Sequence, residues 1–165
     1  MSSLVIYRET IYWKMIFALI LVVDIPLFLF FLYELSLPPA ADPVEIAVLF
    51  VILVVMAAVL ITFGRLTITI TAGGITVGFG LSKRWFSWGE VEDCYHDDAS
   101  ALKYGGYGIK GGIHNGRSRL VYNITSAKRV VLKVKGKKYD EFVFSTRNPE
   151  QCMRLIRMQM GKPTA

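Results

Sequence analysis

The sequence contains few of the residues from which metal sites, disulfide frameworks and nucleophilic catalytic centres are built. Among 165 residues there are only two cysteines and two histidines. Cys94 and Cys152 have no metal-ligand spacing and cannot form a disulfide framework, so we expect free, buried thiols in a reducing compartment. H-E-x-x-H and G-x-S-x-G motifs are missing as well. The composition therefore predicts no catalytic residues, no metal site and no cofactor.

The run His96-Asp97-Asp98 comes nearest to a metal-ligand set. Neighbouring residues of a strand point to opposite faces, so three consecutive side chains cannot reach one ion without an irregular backbone. The second histidine, His114, lies in a different segment. We therefore interpret the run as the solvated end of a strand.

Charge is scarce between Ile11 and Phe63. The charged residues of that interval are Lys14, Asp24, Glu34, Asp42 and Glu45. Two apolar stretches, Tyr12–Tyr33 with 22 residues and Val44–Phe63 with 20, are each long enough to cross a hydrocarbon core of about 30 Å as helices. We predict that residues 1–63 form a short N-terminal segment and a transmembrane helical hairpin.

The distribution of charge predicts the orientation of this hairpin. The connection between the two stretches carries acidic residues but no Lys or Arg. Basic residues flank the hairpin instead, at Arg8, Lys14, Arg65, Lys83 and Arg84. By the positive-inside rule both termini are cytoplasmic, and we expect a multi-pass protein of the inner (cytoplasmic) membrane. On that topology the sequon Asn123-Ile124-Thr125 would carry no sugar.

Asp24 lies near the middle of the first apolar stretch, where an ionised carboxylate costs roughly 2.5–3.5 kcal/mol on insertion scales. Pro26 removes a backbone donor close by. Three interpretations stay open: a protonated Asp24 bonded to carbonyls that the proline frees, a polar contact between helices or subunits, and an ion or proton site. The first two are favoured, because neither stretch has a Lys, Arg or His near mid-membrane. A homo-oligomer held by these helices is one such contact.

From Arg65 onward the apolar period changes from helical to two, which is typical of strands. Strand-like segments fall at residues 66–71, 75–80, 85–98, 118–125, 129–136 and 138–146. We predict a meandering antiparallel sheet of about six or seven strands, curved into a barrel. This domain covers residues 64–165.

Two of the predicted helices have clear start signals. Asp42 is placed to cap the second apolar stretch, with Pro43 at its first position. A C-terminal helix over residues 148–160 would close the barrel, beginning at Asn148 and Pro149 and stopped by Gly161 and Pro163. Its mostly apolar stripe consists of Cys152, Leu155, Ile156 and Gln159, and Arg154 and Arg157 point elsewhere.

Several motifs recur in the order of one known family. After the two apolar helices come LTITITAGGITVGFG, WFSWGEVEDC, a glycine-aromatic-glycine segment and FSTRNPEQCMRLI. Trp88 before Glu90-Val91, and Ser145-Thr146 before Pro149-Glu150, match that pattern. Over roughly Thr10 to Met160 the chain resembles membrane-anchored bacterial and archaeal pleckstrin-homology-like (PH-like) domain proteins. The resemblance implies a PH-like barrel with a terminal helix, used for binding or scaffolding, and no shared catalytic residue.

Gly106–Gly111 spells G-x-G-x-x-G, the pattern of a nucleotide-phosphate loop. A dinucleotide loop needs a strand before it and a helix after it, but a turn and a strand follow Gly111. The kinase form would need further signatures, which are missing. We therefore interpret the glycines as conformational, suited to a bulged strand or a long loop at a sheet edge, with Tyr104 and Tyr107 anchoring the segment by packing.

The C-terminal part of the chain is strongly basic. From residue 64 onward, 17 Lys and Arg against 8 Asp and Glu give a net charge of +9, whereas residues 1–63 carry −3. Each base near an anionic leaflet is worth about 1 kcal/mol. The candidate binding surface consists of Lys83, Arg84, Lys110, Arg117, Arg119, Lys133 and Lys135. No nucleic-acid partner is expected, because no recognition helix or stacking platform accompanies the charge.

These features predict a membrane-anchored, non-catalytic binding or scaffold module. Its basic domain would engage a protein partner or anionic lipid headgroups at the inner leaflet. The alternative is a small accessory subunit of a membrane enzyme or transporter complex, with Asp24 in a helix–helix contact.

Overall fold

The computed structural model describes residues 4–36, 42–125 and 127–161. They divide into two units, one formed by Trp13–Gly64 and one formed by residues 4–12 together with residues 65–161. A domain boundary at residue 64 therefore leaves out one part of the sheet domain, because residues 4–12 belong to it.

The helical unit consists of two long apolar helices, α1 (Lys14–Ser36) and α2 (Pro43–Phe63). Both are long and apolar enough to cross a membrane. The Asp42 carboxylate accepts a hydrogen bond from the Val44 N–H at 2.9 Å, which confirms the predicted N-cap. The middle of the predicted connection, residues 37–41, lies outside the described residues.

The first sheet holds four antiparallel strands in chain order. They are β1 (Val5–Tyr12), β2 (Arg65–Thr71), β3 (Gly74–Phe79) and β4 (Ser82–Ser87). The alternation read from LTITIT is confirmed, since Leu66, Ile68 and Ile70 are fully buried while the threonines between them are partly exposed. One face of this sheet is therefore apolar and the other is rich in threonine.

The second sheet holds five strands in the order β5-β8-β9-β7-β6. Their bounds are Val91–His96 for β5, Gly108–His114 for β6, Arg117–Asn123 for β7, Lys128–Val134 for β8 and Glu141–Thr146 for β9. β7 and β9 run parallel, with Arg119 opposite Glu141, and the other neighbouring strands are antiparallel. A short 3-10 helix, Ala101–Tyr104, lies between β5 and β6.

The strand count and the closure differ from the predicted barrel of six or seven antiparallel strands. In the described residues, nine strands form two mainly antiparallel sheets, which do not close into a barrel. One added strand, β1, precedes the first helix, and another, β6, is built from the glycine-rich segment. The predicted strand over residues 85–98 is also divided, because the chain passes from the first sheet to the second at Trp88-Gly89.

Aromatic rings fill the space between the two sheets. Phe86 of β4 lies 4.9 Å from Phe142 of β9, and Phe79 of β3 lies 5.8 Å from Tyr122 of β7, measured between ring centroids. All four side chains are fully buried. Burying a side chain of this size stabilises the fold by about 1.5–3 kcal/mol. These contacts hold the apolar faces of the two sheets against each other.

The C-terminal helix α3 (Pro149–Gln159) packs against β5 and β8. Its predicted limits are confirmed to within one residue, although Asn148 makes no side-chain capping bond and the predicted stop at Pro163 lies outside the described residues. Arg157 was expected to point away from the sheet. The structure shows the opposite, because its guanidinium donates to the Cys94 carbonyl at 3.1 Å.

The two thiols lie in this contact between α3 and β5. Cys94 and Cys152 are both free and fully buried, as predicted. The Cys94 thiol donates to the Met153 carbonyl at 3.7 Å. Burial raises the pKa of the Cys152 thiol well above its usual value, so both cysteines act as packing residues.

β1 ties the beginning of the sheet domain to its end through Glu9. The buried Glu9 carboxylate accepts hydrogen bonds from the Thr146 hydroxyl at 2.6 Å, the Arg147 N–H at 2.8 Å and the Tyr7 hydroxyl at 2.9 Å. Burial and the bond to Glu9 raise the pKa of Tyr7 to about 12, so the phenol stays a donor. A carboxylate on the inward face of β1 is thus matched by polar groups that precede α3.

We expect Glu9→Ala to lower the free energy of unfolding by about 2–3 kcal/mol, because it removes charged hydrogen bonds and leaves buried donors unpaired. The measurement is denaturant unfolding of the full-length protein in detergent, followed by near-UV circular dichroism. Arg8→Ala, on the exposed face of the same strand, is the control and should change stability by less than about 0.5 kcal/mol. Equal losses in the two variants would show that the Glu9 contacts contribute nothing.

Candidate functional site

The face of the five-stranded sheet that points away from the first sheet carries a small buried cluster. Val121, Val131 and Val143 lie side by side on β7, β8 and β9, and the segment after β5 covers them with Ala99 and Tyr104. Polar contacts with the strands below also hold this cover.

Asp97, the residue that follows β5, provides the first set of those contacts. Its carboxylate accepts from the Arg129 guanidinium at 2.6 Å, the Tyr104 hydroxyl at 3.0 Å and the Arg119 guanidinium at 3.2 Å. The Asp97 side chain is only 1% exposed. Arg129 also donates to the Ala99 carbonyl, so it holds the covering segment at two points.

Glu141, at the start of β9, provides the second set. Its fully buried carboxylate accepts from Arg119 at 2.5 Å, from the Tyr95 hydroxyl at 2.6 Å and from Arg117 at 2.7 Å. Arg119 lies between Asp97 and Glu141 and also donates to the Tyr104 hydroxyl at 2.5 Å. The two carboxylates and their arginines and tyrosines form one continuous hydrogen-bonded network, here called the Arg119 network.

The hydrogen bonds of the Arg119 network and its burial shift the pKa values of Glu141, Tyr95 and Tyr104. Burial alone would raise the pKa of Glu141, but hydrogen bonds from Tyr95, Arg117 and Arg119 outweigh it and keep that pKa below its usual value. Burial raises the pKa of Tyr95 and of Tyr104. Glu141 is therefore a poor general base, and the two phenols stay protonated hydrogen-bond donors.

A polar cleft of about 330 Å³ opens next to this network. Its walls include Tyr95, His96, Asp97, Asp98, His114, Asn115, Arg117, Arg119 and Glu141. Half of the Arg117 side chain is exposed, so its guanidinium can reach a bound group while it holds Glu141. The arrangement suits recognition of a small polar group, because its charged residues are already oriented by one another.

The predicted alternation of His96-Asp97-Asp98 is seen in the side-chain partners. His96 pairs with Glu150 of α3 at 2.9 Å, whereas Asp97 turns to Arg119 and Arg129. Within residues 4–36, 42–125 and 127–161, no three His, Cys, Asp or Glu side chains are grouped so that they could hold a metal ion. The run therefore belongs partly to the Arg119 network and partly to the contact with α3.

The seven basic residues of the predicted binding surface are distributed over both sheets. Lys83 and Arg84 lie exposed near the start of β4, and Lys135 lies exposed after β8. Lys110 is half-buried on β6, and Lys133 pairs with Glu92 at 2.9 Å. The structure brings Arg117 and Arg119 together at Glu141, but Arg119 is buried inside the domain rather than on its surface.

The glycine-rich segment contributes a strand at the edge of a sheet, where a bulged strand or a long loop was expected; the strand is regular, with a continuous register to β7. β6 is the last strand of the five-stranded sheet and pairs only with β7 among the described strands. The φ angles of Gly105, Gly106 and Gly108 are +72°, +103° and +100°, a region that side chains disfavour. Tyr104 is buried and anchors the segment, whereas 38% of Tyr107 is exposed.

Asn123 of the glycosylation sequon is buried at the end of β7. Its side-chain nitrogen, the atom to which a sugar would be attached, donates to the Gly106 carbonyl at 2.9 Å. A sugar at this position would therefore be incompatible with the contacts that Asn123 makes in the folded domain.

Asp24 lies half-buried in α1, two residues before Pro26, which is inside the helix. Its Oδ1 atom is buried and has no hydrogen-bond partner among the described residues. The first interpretation of Asp24 requires a hydrogen bond to a carbonyl freed by Pro26, and this oxygen makes no such bond among the described residues.

Comparison of the chain with protein-family models, curated proteins and solved structures finds no match. The resemblance to PH-like domains thus rests on the sequence motifs alone and stays a prediction.

Sequence reasoning missed the partners that make the Arg119 network. Asp97 was assigned to a solvated strand end, and Glu141, Arg129 and Tyr95 were not singled out as site residues. One signal was available: Arg119 and Glu141 each stand two residues before a buried valine of the same face, Val121 and Val143. Two opposite charges at such inward positions on different strands indicate an internal ion pair.

We expect Arg119→Met to lower the free energy of unfolding by about 3–5 kcal/mol, because it leaves two buried carboxylates short of a counter-charge. Urea unfolding of the full-length protein in detergent measures the change. The matched control is Arg117→Met, which removes one bond to the same Glu141 from a half-exposed position and should cost clearly less. If both variants unfold at the same denaturant concentration, the network does not depend on Arg119.

Proposed function

We propose that this protein is a membrane-anchored, non-catalytic binding module. The helical unit is its anchor, and the sheet domain is a cytoplasmic PH-like domain that engages a protein partner or anionic lipid headgroups. The mainly antiparallel sheets and the C-terminal helix support a PH-like domain, because the sequence resemblance implies an antiparallel sheet followed by such a helix; the closed barrel that it also implies is not seen in the described residues.

One observation in particular supports the assignment of the helical unit as a membrane anchor. Both helices expose large apolar side chains along their length, for example Val22 at 72%, Val44 at 68% and Ile61 at 73%. A soluble protein rarely exposes a contiguous apolar area larger than a few hundred Å². In a bilayer the same side chains would face lipid, where their exposure costs nothing.

The Arg119 network supports binding rather than catalysis. Asp97 and Glu141 each face two guanidinium groups, and the tyrosines of the network donate to these carboxylates. A general acid or base works best with a pKa near the operating pH. The shifts at Glu141, Tyr95 and Tyr104 move the pKa values away from neutrality, which suits fixed charges and donors.

The charge distribution supports the cytoplasmic side. Residues from 64 onward carry a net charge of +9, whereas residues 1–63 carry −3. Basic segments are retained where the leaflet is anionic, and each base near that surface contributes about 1 kcal/mol. The exposed bases nearest in sequence to the helices are Lys14, Arg65 and Arg8.

Cysteine labelling of membrane vesicles with the cytoplasmic side inward tests the anchor and its orientation. We expect Ser36→Cys, at the end of α1, to react with a membrane-impermeant maleimide in intact vesicles, and Lys138→Cys to react only after lysis. The native cysteines are buried and give a low background. The protein should also resist extraction by alkaline carbonate. Reversed labelling would overturn the cytoplasmic placement, and release by carbonate would overturn the anchor.

The second candidate function is that of an accessory subunit of a membrane enzyme or transporter complex. The observation that favours it is the Asp24 oxygen without a partner in the described residues. A polar group in hydrocarbon is stabilised when another helix supplies a hydrogen bond, typically by about 0.6–2 kcal/mol. Since the Asp24 residue as a whole is only half-buried, a subunit that places a donor against the exposed part of its side chain would stabilise it.

Asp24→Leu distinguishes the two functions. If Asp24 joins the chain to another helix, we expect the variant to run as a smaller species on native gels of mild-detergent extracts. Val23→Leu, at the neighbouring position, controls for a general disturbance of α1. An unchanged size for Asp24→Leu would contradict the accessory-subunit function and leave the binding module in place.

A further inference from the structure

One end of the four-stranded sheet is the end at which the chain leaves the sheet domain and returns to it. β1 finishes at Tyr12 and β2 begins at Arg65, and these two residues are paired in the sheet. Trp13 follows the first and Gly64 precedes the second, and both belong to the helical unit. Under the proposed function, this end of the sheet is fixed near a bilayer by covalent continuity alone.

The turn between β3 and β4 lies at the same end. Leu66 of β2 pairs with Phe79 of β3, and Phe79 pairs with Ser82 of β4. The two-residue turn Gly80-Leu81 therefore lies one to two strand spacings from β2, about 5–10 Å. Gly80 has a φ of +42°, consistent with a tight hairpin turn that starts with glycine.

The side chains at this end combine apolar, aromatic and basic chemistry. Leu81 at the tip of the turn is 92% exposed, the highest exposure among the large hydrophobic side chains that are described. Tyr12 is 54% exposed and pairs with the exposed Arg65, and Lys83 is exposed on β4, two residues after Leu81. Acidic residues do not occur in the two rows of paired residues, 12 with 65 and 66-79-82, or in the turn itself.

Lys83 lies opposite a glycine of the neighbouring strand, which leaves space for its side chain. It pairs with Gly78, where an added Cβ would lie 2.5 Å from the Lys83 Cα and 2.7 Å from its Cγ. The absence of a side chain at Gly78 therefore makes room for the stem of Lys83 across β3. The ammonium group is carried on the outer, threonine-rich face, on the same side as Arg65.

The opposite end of the sheet provides a contrast. Its β2–β3 turn consists of Ala72 and Gly73, which present little apolar surface. The Trp88 indole of the β4–β5 connection donates to the Thr71 and Ala72 carbonyls, so it is used within the domain. The start of β1 at that end also exposes Leu4 at 78% and Val5 at 53%. The paired rows 5-71-74-87 and 70-75-86 and the turn contain no Lys or Arg, so Leu81 differs in having a base, Lys83, two residues away.

We propose that the end of the sheet formed by Tyr12, Arg65, Leu81 and Lys83 docks on an anionic lipid surface, with Leu81 entering the headgroup region. The inference rests on the proposed membrane anchor. An aliphatic side chain at the tip gains from leaving water, and bases beside it pair with lipid phosphates. A tyrosine is among the residues that favour the interface between headgroups and hydrocarbon.

The experiment uses the full-length protein reconstituted in vesicles, with a nitroxide spin label at Leu81→Cys. The vesicles are phosphatidylcholine alone or phosphatidylcholine with phosphatidylglycerol. We expect the label at position 81 to gain collisions with oxygen and lose collisions with a water-soluble nickel chelate when the anionic lipid is present. The same label at Ala72→Cys, on the opposite turn, controls for the affinity of the label itself for lipid and should stay accessible to the chelate.

Charge reversal tests the role of the bases. Lys83→Glu, added to the labelled Leu81→Cys protein, should reduce the lipid-contacting population about fivefold or more, as expected for losing one base near an anionic surface. Lys138→Glu, an equal change of net charge on the β8–β9 turn, should leave that population unchanged. Equal effects of the two substitutions would mean that only the overall charge matters, which overturns this docking surface.

The outcomes separate this inference from the proposed function. A protein that resists carbonate but keeps position 81 as accessible to the chelate as position 72 is anchored without docking this end, and only the present inference fails. A protein that carbonate releases from the vesicles fails both. Shielding of position 81 from the chelate without any gain in oxygen collisions would indicate a protein contact there and would also overturn the lipid assignment.

Discussion

A single backbone hydrogen bond, from the Trp13 N–H to the Gly64 carbonyl at 2.8 Å, is the contact on which the arrangement of the chain depends. It joins the first and last residues of the helical unit, so the chain returns to the point at which it left the sheet. Only glycine fits at position 64, because an added Cβ would lie 2.4 Å from the Leu60 carbonyl oxygen and 2.9 Å from the Phe17 ring. Closing a flexible loop of this length would cost conformational entropy. Because this bond already holds the two ends of the insertion together, pairing β1 with β2 carries little of that cost.

The pairing of β1 has consequences at the far end of the chain. It brings Glu9 to Thr146 and Arg147, so the first strand satisfies the polar groups between the last strand and α3. A sheet domain without β1 would leave the Thr146 hydroxyl and the Arg147 N–H without their acceptor, and buried donors of that kind are expensive. The helical hairpin is therefore an insertion into a domain that needs residues from both sides of it.

The helices and the strands next to them were predictable because their signals are local. Asp42 caps α2, Pro149 begins α3, and the strict alternation of β2 places apolar side chains on one face. β1 was not predictable, because Glu9 occupies an inward position and interrupts the apolar alternation just before a long apolar run. β6 has glycine at several of its positions, so main-chain pairing with β7 determines it rather than any side-chain pattern. The Arg119 network joins residues that are 22 and 46 positions apart in the chain, and a local sequence pattern cannot indicate such a contact.

Basic residues that look alike in the sequence do two different things in this domain, and the residue opposite each one on the neighbouring strand decides which. Arg119 stands opposite the buried Glu141, so its charge is neutralised inside the fold and is not available to a surface. Lys83 stands opposite Gly78, which offers neither a counter-charge nor a side chain, so its ammonium group remains exposed. A net charge of +9 beyond residue 63 therefore overstates the charge that a membrane or a partner can meet. A base is available to a surface only when the residue opposite it on the neighbouring strand is not acidic. Arg65, opposite Tyr12, and Lys83, opposite Gly78, meet this condition near the end of the sheet that adjoins the helices in the chain.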